Sequence, residues 1–276
     1  MIAGTDADFL YECVSDPAGH RRYVGPPEKF DVISASQFSL LVGLGLREDH
    51  RLLDIGCGSL RGGRLFITYL RSGNYFAIEP QRWLVEKGIE CELGRDVIEL
   101  KRPTFLHDGG LTLTAFGQQF DFLLAQSIFS HASPAQLRRC LAQAKLALAP
   151  RGIFAATYIP GAEDYRGESW VYPGPVTYTF DRLHALAAEL DLACAWLEWD
   201  HPNGQEWVAF YHPEREPPCA TLTPQSVLVR QELAQCRRRI AQLESHPYVR
   251  AGRAVTDWFG RLVGKRRSQL ARPSAA

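Results

Sequence analysis

The sequence predicts an α/β protein built on one mostly parallel sheet with helices on both faces and a reversed last strand, followed by C-terminal helices. Three observations predict it. Short apolar runs alternate with helical periodicity between residues 36 and 213, the first run breaks into a glycine turn, and the last two flank a hairpin signal. The 276 residues, 46% hydrophobic and 22% charged, suffice for one sizeable core and exclude a disordered or collagen-like chain.

Taken in order, residues 1–35 are rich in turn formers, with Asp16-Pro17, His20-Arg21-Arg22-Tyr23 and Gly25-Pro26-Pro27, and predict an extended N-terminal arm. From Ser36, Phe38, Leu41, Val42 and Leu46 recur at helical spacing, so the main domain (36–213) opens with an amphipathic helix. Leu52-Leu53-Asp54-Ile55 is a strand that breaks at Gly56-Cys57-Gly58, and a helix runs from there to about Leu70. Further strands are predicted at Tyr75–Ile78, 105–106, Phe120–Ala125 and 152–157. Ser133, Pro134 and Gln136 form a capping box, starting a helix that runs to about Leu148 and is stopped by Pro150-Arg151-Gly152. Residues 158–178 carry Tyr158, Tyr165, Trp170, Tyr172 and Tyr178 in a connection longer than a compact fold needs, which marks it as functional or mobile. After a helix with Leu183, Leu186, Ala187 and Leu190 on one face, strands at 193–199 and 206–211 flank Asp200-His201-Pro202-Asn203-Gly204 as a hairpin around Asn-Gly.

Lys+Arg and Asp+Glu are each 31, so the formal net charge is zero, which argues against a globally basic nucleic-acid binder. The balance hides an asymmetry. Beyond a Pro-rich linker at 214–224, residues 225–276 carry eleven Lys or Arg against three Asp or Glu, a net +8. In this basic helical tail Val229, Leu233, Cys236, Ile240 and Leu243 keep a coiled-coil rhythm over about two heptads. Ala251, Val255, Trp258, Phe259 and Leu262 then make an apolar face ringed by Arg and Lys. Such a helix can dock on an anionic membrane surface, pair with a second copy as a homodimer, or pack on its own domain. Nucleic acid is disfavoured, since the basic stripe with interleaved aromatics that single-strand binders use is missing. The seven cysteines are odd in number and form no Cys/His cluster, arguing against disulfides and a structural metal and for a reducing compartment. The start has no leader pattern and no run approaches the roughly 18 apolar residues of a membrane span, so a soluble, cytoplasmic protein is expected.

Gly56 and Gly58 let the backbone approach a ligand, and Glu79 ends the next strand, where an acid can accept both hydroxyls of a ribose. A pyrophosphate cofactor conflicts with two residues. Arg61 stands where a dinucleotide turn has its third glycine, and Asp54 would repel a phosphate charge about 4 Å away by roughly 4 kcal/mol at an effective dielectric near 20. An NAD-dependent oxidoreductase is thereby disfavoured. The same carboxylate attracts an ammonium, so a ligand with an amino-acid end, a ribose and no phosphate fits: S-adenosylmethionine.

Leu53-Asp54-Ile55-Gly56-Cys57-Gly58 resembles the first motif of the class I S-adenosylmethionine-dependent methyltransferases. Phe120-Asp121-Phe122-Leu123-Leu124-Ala125-Gln126-Ser127 is similar to their fourth-strand motif. Leu146-Ala147-Leu148-Ala149-Pro150-Arg151-Gly152 resembles their approach to the fifth strand, with Arg151 in place of the first glycine. The likeness covers roughly residues 30–212. It implies a Rossmann-like seven-stranded sheet with an antiparallel last strand, and direct methyl transfer from S-adenosylmethionine. It also implies roles: Asp54, Gly56, Cys57 and Gly58 along the methionine moiety, Glu79 on the ribose, Asp108 facing the adenine amino group, and Gln126 and Ser127 beside the transferable methyl.

Methyl transfer is largely a matter of positioning, and a hydroxyl acceptor is helped by a general base. His131 after the fourth strand and His201 after the sixth fall at the carboxyl ends of strands, where ligands sit in open α/β sheets. They are the candidate catalytic residues, against plainer roles as a packed turn residue and a polar hairpin residue. The aromatics of 158–178, with Glu163, Asp164, Arg166 and Glu168, are placed to cover an acceptor, and Arg21, Arg22 and Tyr23 to close over the cofactor. The expected activity is O-methylation of a small-molecule or glycan hydroxyl. The alternative is a non-catalytic binding or scaffold protein of the same fold, assembling through its C-terminal helices.

Overall fold

In the computed structural model the described residues form seven strands: β1 (Leu52–Ile55), β2 (Tyr75–Ile78), β3 (Thr104–Leu106), β4 (Phe120–Ala125), β5 (Leu148–Tyr158), β6 (Ala193–Leu197) and β7 (Glu206–Tyr211). They form one sheet in the order β3-β2-β1-β4-β5-β7-β6, parallel except for β7, which runs antiparallel to both β5 and β6. The helices are α1 (Asp6–Ser15), α2 (Gly19–Tyr23), α3 (Phe30–Gly43), α4 (Gly63–Tyr69), α5 (Arg82–Gly88), α6 (Arg95–Lys101), α7 (Pro134–Ala147) and α8 (Phe180–Glu189). Residues 6–16, 18–218, 235, 236, 238–240 and 242 are described by the structure.

Because successive side chains of a strand point to opposite faces, β1 feeds two cores. Leu53 and Ile55 join Leu137, Leu141, Leu183 and Leu186 of α7 and α8, whereas Leu52 joins Leu40, Leu41, Phe66 and Ile67 of α3 and α4. Asp54 lies on the face of Leu52. The strand order reverses beside β1, between β2 and β4, and this switch point opens a cleft beyond the carboxyl ends of those strands.

Several expectations change in the folded chain. The N-terminal arm is helical rather than extended: α1, α2 and a 3-10 turn (Pro27–Lys29) precede α3, which starts before Ser36. Its turn formers punctuate helices. Gly19 lies so close to the Cys13 carbonyl that a side chain has no room, and Pro27 occupies a first helical position, where its missing N–H costs nothing. The helix expected straight after Gly58 begins only at Gly63, since Leu60 adopts φ 60° and breaks the path. Pro150-Arg151-Gly152 does not separate α7 from the fifth strand. It forms a bulge inside β5, where the register jumps from Phe120 opposite Leu148 to Phe122 opposite Ile153. The hairpin around Asp200–Gly204 is present, β6 and β7 pairing antiparallel, and Gly204 N–H donates to the His201 carbonyl at 3.0 Å, closing its turn with Pro202 at the first corner.

The chain divides into two units, residues 1–221 and 222–276. In the second, Gln235, Cys236, Arg238, Arg239, Ile240 and Gln242 are helical. Val229, Leu233 and Leu243 of the heptad pattern and the basic amphipathic face at 251–262 lie outside the described residues. Among the described residues no helix is long and apolar enough to cross a membrane.

Candidate active site

A cavity of about 780 Å³ opens at the switch point, within the range of small-molecule sites. Asp54, Gly56, Cys57, Gly58, Glu79, Asp108, Gln126 and Ser127 all line it, together with His131; His201 does not.

The wall from β1 and β2 is shaped by backbone. Gly56 (φ 71°) and Gly58 (φ 54°) occupy the left-handed region, where a side chain is strained. A Cβ at Gly56 would run into the Ile128 side chain, and one at Gly58 would stand 2.6 Å from Val24 Cγ1. Gly58 N–H donates to Glu79 Oε2 at 3.0 Å and Gln81 N–H to Oε1 at 2.9 Å, so the turn and the β2 end fix the Glu79 carboxylate between them. Burial pushes Glu79 up despite these bonds. Asp54, 4% exposed, accepts the Tyr75 hydroxyl at 2.7 Å. Desolvation raises it to about 7, against the opposing pull of that bond and of Arg61. Burial likewise holds the Cys57 thiol protonated, well above its ordinary value. Asp108 accepts N–H groups from Gly110 (2.8 Å) and Thr112 (2.9 Å), which hold it below the usual carboxylate range and make it the cap of its own turn as well as part of the wall.

At the β4 exit a side-chain network takes over. Arg61 donates to the Val24 carbonyl at 2.6 Å and to Gln126 Oε1. Ser127, with φ 61°, anchors its N–H on Thr157 Oγ1 at 2.7 Å, and its hydroxyl receives Gln126 Nε2 at 2.6 Å and Gln205 Nε2 at 2.8 Å. His201 Nε2 is 3.1 Å from Gln126 Nε2, behind the wall, and burial, Arg61 and Lys29 lower the ring to about 4.

The two histidines therefore occupy different places. His131 Nδ1 lies 2.9 Å from the Val171 carbonyl and 3.1 Å from that of Gly174. Carbonyl oxygens only accept, so the ring proton sits on Nδ1 and the neutral ring keeps Nε2 as an acceptor. Burial lowers its pKa. The ring packs 5.0 Å from Tyr172 and 5.5 Å from Trp170, both cavity-lining aromatics of the segment after β5. Ser133 caps α7 just beyond it, in the expected box: Ser133 Oγ accepts Gln136 N–H, and Gln136 Oε1 accepts Ser133 N–H.

The N-terminal segment roofs the cavity. Tyr23 packs against Phe9 (5.9 Å), Trp83 (5.4 Å) and Tyr172 (5.0 Å), and the Tyr172 hydroxyl donates to the Tyr23 carbonyl. Arg22 and Tyr23 line the space, but Arg21 turns away to the nearly covered side chain of Glu92, which His20 and Arg64 also contact. Burial pushes Glu92 up, yet the bonds from Arg21 and His20 hold it below its ordinary value. Glu163, Asp164, Arg166 and Glu168 are not in the wall; Asp164 instead receives Thr179 N–H at 2.8 Å. Arg61, Asn203 and Gln205 also stand in the wall, and their only signals in the sequence are a glycine missing at 61 and a hairpin turn.

No family model and no curated protein sequence matches the chain. Solved structures do. The glycopeptide N-methyltransferase MtfA complexed with S-adenosyl-L-homocysteine matches with TM-score 0.50 at 14% identity, over 66% of this chain and 90% of that one. Magnesium protoporphyrin IX methyltransferase (ChlM) from Synechocystis PCC 6803 with bound S-adenosylmethionine gives 0.51 at 10% identity, over 77% and 100%. This chain has the class I methyltransferase fold. Streptomyces venezuelae DesVI matches it at 0.51 and 15% identity, over 76% and 100%. In this chain the glycine turn after β1 and the acid after β2 lie side by side at the switch point, joined by Gly58 N–H on Glu79.

Proposed function

We propose that the chain is an S-adenosylmethionine-dependent methyltransferase acting on a hydroxyl of a small molecule or glycan. The observation that carries the reading is one cavity lined by Asp54, Gly56, Gly58 and Glu79 and also by His131, whose Nδ1 is taken by backbone carbonyls. The wall fits the cofactor: backbone bare of side chains at Gly56 and Gly58, a buried carboxylate at Asp54, a second at Glu79 for ribose hydroxyls, and Leu84 and Leu111 as apolar surface for a purine. When bound, S-adenosylmethionine supplies a methyl on a cationic sulfur that leaves as a neutral thioether.

The chain's own residues do the positioning and move one proton. His131 takes the acceptor hydroxyl proton on Nε2, while its Nδ1–H stays with the Val171 and Gly174 carbonyls, which stabilise the charge that forms. Its lowered pKa keeps the resting ring neutral at pH 7. Trp170 and Tyr172 offer flat faces for a sugar or aromatic ring, and the Tyr23 roof keeps water from the cofactor half. His201, behind Gln126, is a positioning residue. Buried free cysteines such as Cys13 and Cys140 are in keeping with the cytoplasm, and the basic tail is assigned to homodimer or anionic-membrane contact.

The test is calorimetry of the full chain with S-adenosylmethionine and S-adenosylhomocysteine, then transfer of a labelled methyl to panels of hydroxyl and amine acceptors. Micromolar binding with label on hydroxyls is expected. Label only on amines overturns the acceptor assignment, and absence of binding overturns the activity in favour of a scaffold.

A further inference from the structure

Two opposite charges are buried at the cavity without being paired to each other. Arg61 is 6% and Asp54 4% exposed, and both line the space. Among the described residues no carboxylate stands within 4.0 Å of the Arg61 guanidinium, and no cationic nitrogen that near to the Asp54 carboxylate. Arg61 is nevertheless held firmly, by Val24 of the N-terminal roof and Gln126 of the β4 exit, which leaves further N–H donors of its fork over. Desolvation lowers it to about 10 and raises Asp54 to about 7. Each feels the other's charge, but no ion pair closes between them, and a buried charge left without a close pair is costly.

Resting on the proposed cofactor, we infer that Arg61 anchors the α-carboxylate of its methionine end, so that Arg61 and Asp54 together form a receptor for a zwitterion. Sign decides the ligand class. A phosphate would satisfy Arg61 and be repelled by Asp54, and a simple cation would do the reverse. An amino-acid end carries an anion and a cation on one carbon and satisfies both. The residue that breaks the dinucleotide glycine pattern is thus a ligand group in its own right, and it couples the bound cofactor to the roof through Val24.

Calorimetry of the full chain compares S-adenosylhomocysteine with 5′-deoxy-5′-methylthioadenosine, which keeps the nucleoside and lacks the amino-acid end. Arg61→Gln is expected to weaken the first by about 100-fold and leave the second unchanged, with Arg61→Lys in between and thermal melts confirming folded variants. Equal loss for both ligands, or no loss for the first, overturns the inference. A control on the unaltered chain needs no substitution: decarboxylated S-adenosylhomocysteine keeps the ammonium and should bind about 100-fold more weakly than the intact ligand. Equal affinity there also overturns it. If the unaltered chain binds neither thioether, the cofactor reading itself falls; binding of both at equal strength removes only the role of Arg61.

Discussion

The cofactor half of the cavity is made by neighbours in sequence and sheet, whereas the acceptor half is gathered from distant segments. Asp54, Gly56 and Gly58 follow one another at the end of β1, and parallel pairing of Ile55 with Ile78 brings Glu79 beside them. The other half draws His131 from the β4–α7 connection, Trp170 and Tyr172 from the segment after β5, Gln205 from the β6–β7 connection and Tyr23 from the N-terminal roof. Backbone geometry and register build one wall; long-range packing of side chains builds the other. A motif can mark the first because the groups that need each other lie close along the chain.

If the halves are separable, His131→Gln should lower kcat by about 10²–10⁴-fold while cofactor affinity stays within about twofold, read by single-turnover rates beside calorimetry. A matching loss of cofactor binding would break the division. On the other wall the sharpest probe is pH. Asp54 rises from 3.8 to about 7 on folding, so between those values the folded chain holds a proton that the unfolded chain has released, and stability falls as pH rises. His201 works oppositely: lowered to about 4 from 6.5, it gives stability that is lost as pH falls through that range. Asp54→Asn removes the first slope alone. Compared with the parent in ligand-free urea melts, the variant should gain on the order of 3 kcal/mol between pH 5 and pH 8; a constant difference would show that Asp54 is not buried as a lone acid.

Gly56→Ala tests the backbone wall by geometry rather than charge. Its positive φ and the Ile128 contact should lower stability by about 1–3 kcal/mol and weaken cofactor binding with it. Smallest, Ser133→Ala removes the α7 cap next to His131 and should cost about 1 kcal/mol, raising the acceptor KM while leaving cofactor affinity alone. A shift in the opposite pair of constants would mean that α7 supports the cofactor wall.

Legibility in the sequence followed the same division. The first, second and fourth strands and the capping box agree with the folded chain because alternation, β-branched and apolar runs, and an N-cap three residues from a glutamine act within a few residues. The N-terminal arm departs from its local signals: its prolines and glycines spell loop, while Gly19 against Cys13 and Tyr23 against Trp83 show that packing stabilises short helices there. Pro150-Arg151-Gly152 spells a break locally because a bulge needs a partner strand to define it.

By itself the sequence determined the strand, glycine turn and acid that make the first wall, since positive φ, spacing and pairing register are properties of short stretches. The tertiary structure alone decided that Arg61 reaches Val24 and Gln126, that His131 rather than His201 faces the cavity, and that Arg21 leaves the roof for Glu92. Each of those outcomes is the balance of burial against a partner far along the chain, and that balance exists only once the chain has brought the two together.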